Sequence, residues 1–311
     1  MTDPAHRLDP GAPVIAIDVG GTDTKAAAVR ADGTIASVLR VRTPPAGPDA
    51  GQAVVRLAAD LVQRFRDEDP AFEPAALGLL VPGEVDERSG IARYSANLGW
   101  RDVHLRALAE LETGLPVALA HDVGGAGEAE YRLGTGAAYR DVVFLAVGTG
   151  IAAALFLDGR PYRGGGLAGE IGHAPVAEGP ECFCGGRGCL EAVSSAGAIA
   201  RRFGTRTGRT VPGAREVLEL AQAGDRDAAI VWEEALDGLA LALHTVVALL
   251  DPGAIVIGGG LSEAGPALFD PLRARLERRL TIHRPPALLR AALGEDAGVL
   301  GAALRARAVV G

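Results

Sequence analysis

Cys182, Cys184 and Cys189 lie within eight positions of one another, and His173 precedes them by a short loop. Three thiolates and one imidazole are the donor set of a closed, structural, tetrahedral zinc site. Gly185, Gly186 and Gly188 let the intervening chain wrap back on an ion only about 2.3 Å from each sulfur. An odd cysteine count and the tight Cys-x-Cys spacing disfavour a disulfide, which leaves unconnected thiols as the other reading. Glu170 stands three residues before His173 and Glu191 two after Cys189. A metal held here would fix both carboxylates through the backbone.

A second set of residues is built for anions. Asp18-Val19-Gly20-Gly21-Thr22-Asp23-Thr24-Lys25 puts two glycines between strand-like runs, where backbone N–H groups can approach a phosphate. Thr22 and Lys25 add a hydroxyl and an ammonium, and Lys25 is the sole lysine of the chain. Taken alone, such a pair is usually a plain hairpin turn. Gly148-Thr149-Gly150 and Gly258-Gly259-Gly260 repeat the pattern of a strand followed by glycines. None of the three is a Walker loop or a dinucleotide fingerprint.

The elements that must carry these turns follow from periodicity. Residues 14–18, 24–30 and 34–41 read as strands of a meander, 50–66 as an amphipathic helix, and 76–81 as a buried strand stopped by Pro82-Gly83. A helix over 105–112 ends at Gly114, and a strand over 117–120 follows. The pattern restarts with strands over 141–147 and 151–157. From 215 it is helical, except for a strand over 254–257, and a small-residue helix spans 298–310. Two halves that each open strand, glycine turn, strand point to a duplicated α/β architecture.

Length and composition agree. A chain of 311 residues exceeds one ordinary core, and 48% apolar with 23% charged residues is usual for a globular protein. A net charge of -8 gives no footprint for nucleic acid. The first residues carry acids and prolines without an apolar leader, and the apolar run 239–250 is too short to span a bilayer. The expectation is a cytoplasmic protein without a membrane partner.

The three glycine turns together resemble the two phosphate loops and the adenosine loop of the actin, sugar-kinase and heat-shock ATPase superfamily. Glu170-Ile171-Gly172-His173 followed by Cys182-Phe183-Cys184-Gly185-Gly186-Arg187-Gly188-Cys189-Leu190-Glu191 resembles the signature of the ROK family of repressors, open reading frames and sugar kinases. The resemblance runs from Asp18 to Asp296-Ala297-Gly298-Val299-Leu300-Gly301. It implies two duplicated actin-like (ribonuclease H-like) ATPase domains, 1–122 and 123–311, with an interdomain cleft and the final helix 298–311 packing back on the first. It implies an ATP-dependent hexose kinase, acting first on the 6-hydroxyl of glucose, that assembles as a homodimer or homotetramer.

Residue by residue, the resemblance gives Asp122 the role of base. Gly83, Asn97, His121, Glu170, His173 and Glu191 fall on the sugar side. Asp18 positions Mg²⁺; Gly20, Gly21, Thr22 and Lys25 form the first phosphate loop, Gly148, Thr149 and Gly150 the second, and Gly258, Gly259 and Gly260 the adenosine loop. His173, Cys182, Cys184 and Cys189 hold Zn²⁺. For Asn97, a turn amide capping its own backbone is an equal reading. The chain departs from the family pattern at His121 and Gly124, where asparagines are usual, and at Ile151-Ala152-Ala153, where glycines are common. An amino- or N-acetyl-hexosamine is therefore an alternative acceptor, polyphosphate an alternative donor, and a non-catalytic sugar-responsive regulator an alternative role. A DNA-binding repressor is not expected, since about a dozen residues precede Val14. His6, His104, His244 and His283 are expected to be without function.

Overall fold

The structure, a computed structural model, describes residues 7–311, so His6 and the first part of the acidic start lie outside the described residues. In chain order the elements are β1 (Val14–Val19), β2 (Asp23–Val29), β3 (Ile35–Arg42), α1 (Ala50–Glu68), β4 (Ala76–Val81), β5 (Glu84–Asp86), β6 (Ile91–Tyr94), β7 (Arg101–Val103), α2 (Leu105–Thr113), β8 (Val117–His121) and α3 (Asp122–Leu133). Then follow β9 (Val142–Val147), β10 (Ile151–Leu157), β11 (Arg160–Tyr162), α4 (Leu190–Ser194), α5 (Ala196–Thr207), α6 (Ala214–Gln222), α7 (Arg226–Leu250), β12 (Ala254–Gly258), α8 (Pro266–Arg279), β13 (Ala287–Arg290) and α9 (Ala297–Ala308).

The chain divides into two compact units. The first runs to Gly134 and is resumed at Glu295–Gly311, and the second spans Thr135–Gly294. The first unit thus continues through α3 beyond Asp122, and the terminal helix belongs to it. Its sheet has the order β3-β2-β1-β4-β8, and the sheet of the second unit has the order β11-β10-β9-β12-β13. In both, the first three strands are antiparallel and the last three parallel. This is the duplicated α/β fold expected of an actin-like ATPase.

The parallel strands read as continuous apolar runs because both faces are covered. All six residues of β4 are buried. Edge strand β3 instead alternates half-buried with exposed positions. In the first unit Val54, Leu61 and Phe65 of α1 pack on Ile15, Ile17, Leu77 and Trp100. In the second, Val231, Trp232, Leu239 and Leu243 of α7 cover Val143, Leu145 and Ile255.

Helix α3 is absent from the sequence reading for a physical reason. Gly124, Gly125 and Gly127 each cost about 1 kcal/mol in a helix relative to alanine. Packing overrides that cost, for α3 lies against α9. A Cβ on Gly301 would stand 2.1 Å from the Gly125 carbonyl oxygen, so the two backbones touch where side chains would keep them apart. α9 also packs on β1 and β4, and it thereby fixes α3, which starts at Asp122, relative to β1, which carries Asp18. No helix among the described residues is long and apolar enough to cross a membrane.

Candidate active site

In the first unit the candidate residues gather at the carboxyl ends of the parallel strands, where α/β sheets place their ligands. Asp18 is paired with Leu80 across β1 and β4, and Leu80 with Ala120 across β4 and β8. Asp122 follows two residues later as the first residue of α3. Its Oδ1 accepts a hydrogen bond from the Val123 N–H at 2.7 Å and lies 3.1 Å from His121 Nε2. His121, expected on the sugar, thus has this nitrogen against the neighbouring carboxylate. Both side chains keep about a quarter of their surface exposed, 23% and 29%.

Asp18 is held differently. Burial pushes its carboxyl up to about 7, the negative charge of Asp122 adds to the rise, and Lys25 opposes it. A Cβ on Gly298 would stand 1.9 Å from Asp18 Oδ2, so the first turn of α9 sits on this carboxylate. Because the folded value exceeds the ordinary 3.8, the unfolded chain gives up its proton first as pH rises. The stability present below about pH 4 is lost progressively up to about pH 7. Asp18→Asn is expected to raise Tm over wild type by an amount that grows across that interval and is level above it, as thermal scans at several pH values would record. A constant difference from pH 4 to pH 8 would contradict this.

The first glycine turn joins β1 to β2. Gly20 N–H donates to Asp23 O at 3.1 Å, Thr43 Oγ1 donates to Gly20 O at 2.8 Å, and Thr43 N–H donates to Thr22 O at 3.0 Å. Lys25 does not stand alone beside this turn. Its ammonium meets the Asp296 carboxylate and donates to Glu295 O at 3.2 Å, which ties β2 to the start of α9. Gly83 adopts φ +101°, and a Cβ there would meet Tyr94 O at 2.2 Å, so the Pro82-Gly83 turn lies directly on segment 94–95. Asn97 is exposed. The cap of its turn is Ser95, whose Oγ accepts from Leu98 N–H at 3.3 Å, rather than Asn97 itself.

In the second unit the Gly148-Thr149-Gly150 turn joins β9 to β10 at the place equivalent to the first turn. Gly148 O accepts from Ala196 N–H at 2.8 Å, which sets the start of α5 beneath it. Glu191 Oε2 accepts from Ile151 N–H at 2.7 Å. One oxygen of this carboxylate, expected on the sugar, therefore braces the glycine turn. Gly259 lies against Val147 O, where a Cβ would stand 2.6 Å away, so the Gly258–Gly260 turn abuts the end of β9.

His173, Cys182, Cys184 and Cys189 converge, with their ligand atoms all within 4.8 Å of one another. His173 Nδ1 is 3.6 Å from Cys182 Sγ, and Cys184 Sγ is 3.7 Å from Cys189 Sγ. Tetrahedral zinc with bonds of about 2.1 Å to nitrogen and 2.3 Å to sulfur requires roughly 3.6 Å between N and S and 3.8 Å between sulfurs. The four residues fit such an ion. Burial, with Cys184 and Cys182 beside it, pushes the Cys189 thiol up to about 12, so a cation is what would ionise it. With Nδ1 on the cluster, His173 turns Nε2 toward Glu170 Oε2, 3.9 Å away, and the Phe183 ring stacks edge-on against it at 5.0 Å.

The family model described as the ROK family matches residues 14–309. The chain belongs to the ROK family. A glucokinase of Streptomyces coelicolor is 32% identical, covering 94% of this chain and 97% of that protein. Among solved structures, a ROK hexokinase from Thermus thermophilus superposes with a TM-score of 0.84 at 35% identity, covering 96% of this chain and 99% of that one. A ROK family glucokinase from Streptomyces griseus, in complex with glucose and AMPPNP, gives 0.80 at 31% identity, covering 95% and 99%. Within this ROK chain, sequence reading did not single out Gly298, Ala196 or Glu87. Gly298 sat inside a quoted motif, but its role depends on α9 returning to Asp18, which no local pattern reveals. Glu87 likewise reaches the start of α3 only through the tertiary fold.

Proposed function

We propose that this ROK protein is a hexose kinase that transfers the terminal phosphoryl group of ATP to a sugar hydroxyl, with the 6-hydroxyl of glucose as acceptor. The observation that carries the reading is the Asp122 carboxylate at the mouth of a parallel sheet, oriented through Oδ1 by Val123 N–H and His121. Glucokinase relatives covering nearly the whole chain support it. In the reaction the sugar oxygen bonds to the γ-phosphorus, the bond from that phosphorus to the β–γ bridging oxygen breaks, and ADP leaves. The hydroxyl proton passes to Asp122, whose contribution as base is of order 10²–10⁴-fold.

The glycine turns at 20–22, 148–150 and 258–260 serve as the phosphate and adenosine loops. Asp18 would hold Mg²⁺ through water, consistent with a hard cation that binds few carboxylates, and such an ion neutralises phosphate charge when bound. His173, Cys182, Cys184 and Cys189 would hold a structural Zn²⁺. That clamp steadies Glu170, His173 Nε2 and the helix of Glu191 for the ring hydroxyls. A second reading, an amino- or N-acetyl-hexosamine acceptor, is supported by an N-acetylmannosamine kinase of Citrobacter koseri that is 33% identical over 94% of this chain. ADP release measured over glucose, mannose, N-acetylglucosamine, N-acetylmannosamine and glucosamine tests both. Release that depends on a hexose supports the kinase, the best acceptor separates the readings, and release indifferent to every sugar overturns them.

A further inference from the structure

We propose that His121 is the positioning residue of the base rather than a sugar contact. The inference rests on the hexose-kinase reading and adds to it which oxygen of Asp122 takes the proton. Asp122 Oδ1 faces two nitrogens, Val123 N at 2.7 Å and His121 Nε2 at 3.1 Å. The imidazole Nε2 thus stands against Oδ1 beside the backbone amide. The amide bond and the imidazole contact fall on one oxygen and hold the carboxylate torsion, so Oδ2 is the oxygen presented to the sugar hydroxyl. A carboxylate held by the single backbone bond could rotate about its Cβ–Cγ bond and present either oxygen, and misorientation of a reacting group is costly in rate.

Charged groups from several elements surround the imidazole. Asp122 and Asp18 are both carboxylates at this end of the sheet, and Asp18 interacts with Asp122 electrostatically. Glu87 approaches from the loop after β5. A Cβ built on Gly124 would lie 3.7 Å from His121 Cβ and 3.9 Å from Glu87 Oε1. Arg305 of α9 faces Glu87 Oε2 at 3.0 Å and Glu128 of α3 at 2.5 Å, while Lys25 is engaged by Asp296.

The test compares His121→Ala with His121→Gln, whose Nε2 amide stands near the place of the imidazole Nε2 and can keep its polar contact with Oδ1. The expected result for the alanine variant is a loss of about tenfold in kcat, with the hexose KM within about threefold of wild type. The glutamine variant is expected to recover most of that kcat. An unchanged kcat in the alanine variant, or a loss carried by hexose KM in both variants, would overturn the proposal and return His121 to the sugar. Wild-type protein that releases no ADP with any hexose would instead sink the kinase reading, so the two failures are distinct.

Discussion

Asp122→Asn is expected to lower kcat by at least about 10²-fold while ATP and hexose KM stay within a few-fold. The amide has nearly the volume of the carboxylate, and its oxygen can still accept from Val123 N–H in place of Oδ1. What it loses is the capacity to take a proton from the attacking hydroxyl. An effect confined to kcat marks an interaction made in the transition state rather than in binding. Steady-state kinetics against both substrates reads the split. A variant with most of its turnover intact would remove Asp122 from the base role. A large rise in hexose KM would make it a binding residue.

Cys184→Ser is expected to take bound zinc from about one ion per chain to nearly none, and to raise hexose KM by more than about tenfold. Cys184 is exposed, so the exchange of sulfur for oxygen opens no cavity and its effect is that of ligand loss. Without the ion, backbone bonds such as Leu190 N–H to Ala174 O at 2.9 Å still join the Cys189 end to the segment after His173, whereas the turn that carries Cys182 and Cys184 keeps local bonds such as Cys182 N–H to Gly186 O at 2.8 Å and Gly185 N–H to Cys182 O at 2.9 Å. Those local bonds do not bring the Cys182 and Cys184 thiols to the His173 ring, which is what the ion would do. Glu170 and Glu191 flank the ligands on both sides, so the loss reaches the carboxylates meant for the sugar. Metal content measured beside hexose kinetics decides the matter. A zinc-free protein with normal hexose KM would refute the clamp.

Much of this was legible before any coordinates. The strand, glycine turn, strand pattern gave both halves of the duplicated fold, because buried parallel strands leave apolar runs and tight turns leave glycines. The Cys3His set was legible because metal geometry constrains local spacing. The terminal helix was assigned to the first domain through family resemblance and not through any local signal. Helix α3 was not legible at all, since its glycines argue against helix until α9 is set beside them. The same holds for side-chain direction. Nothing in Ala120-His121-Asp122 tells that the imidazole turns to its neighbour, or that Glu191 reaches back to Ile151. Beside two glycines Lys25 reads as a phosphate ligand, and its ion pair with Asp296, which joins positions far apart in sequence, is not visible in that local pattern.

The central claim, phosphoryl transfer from ATP to a hexose hydroxyl, is tested most directly by identifying the products. Zinc-replete protein incubated with ATP, Mg²⁺ and glucose would be followed by phosphorus NMR. The account predicts glucose 6-phosphate and ADP appearing in equal amounts, with no inorganic phosphate beyond background. ADP accompanied by inorganic phosphate and no sugar phosphate, with glucose and with each other hexose of the panel, would contradict it.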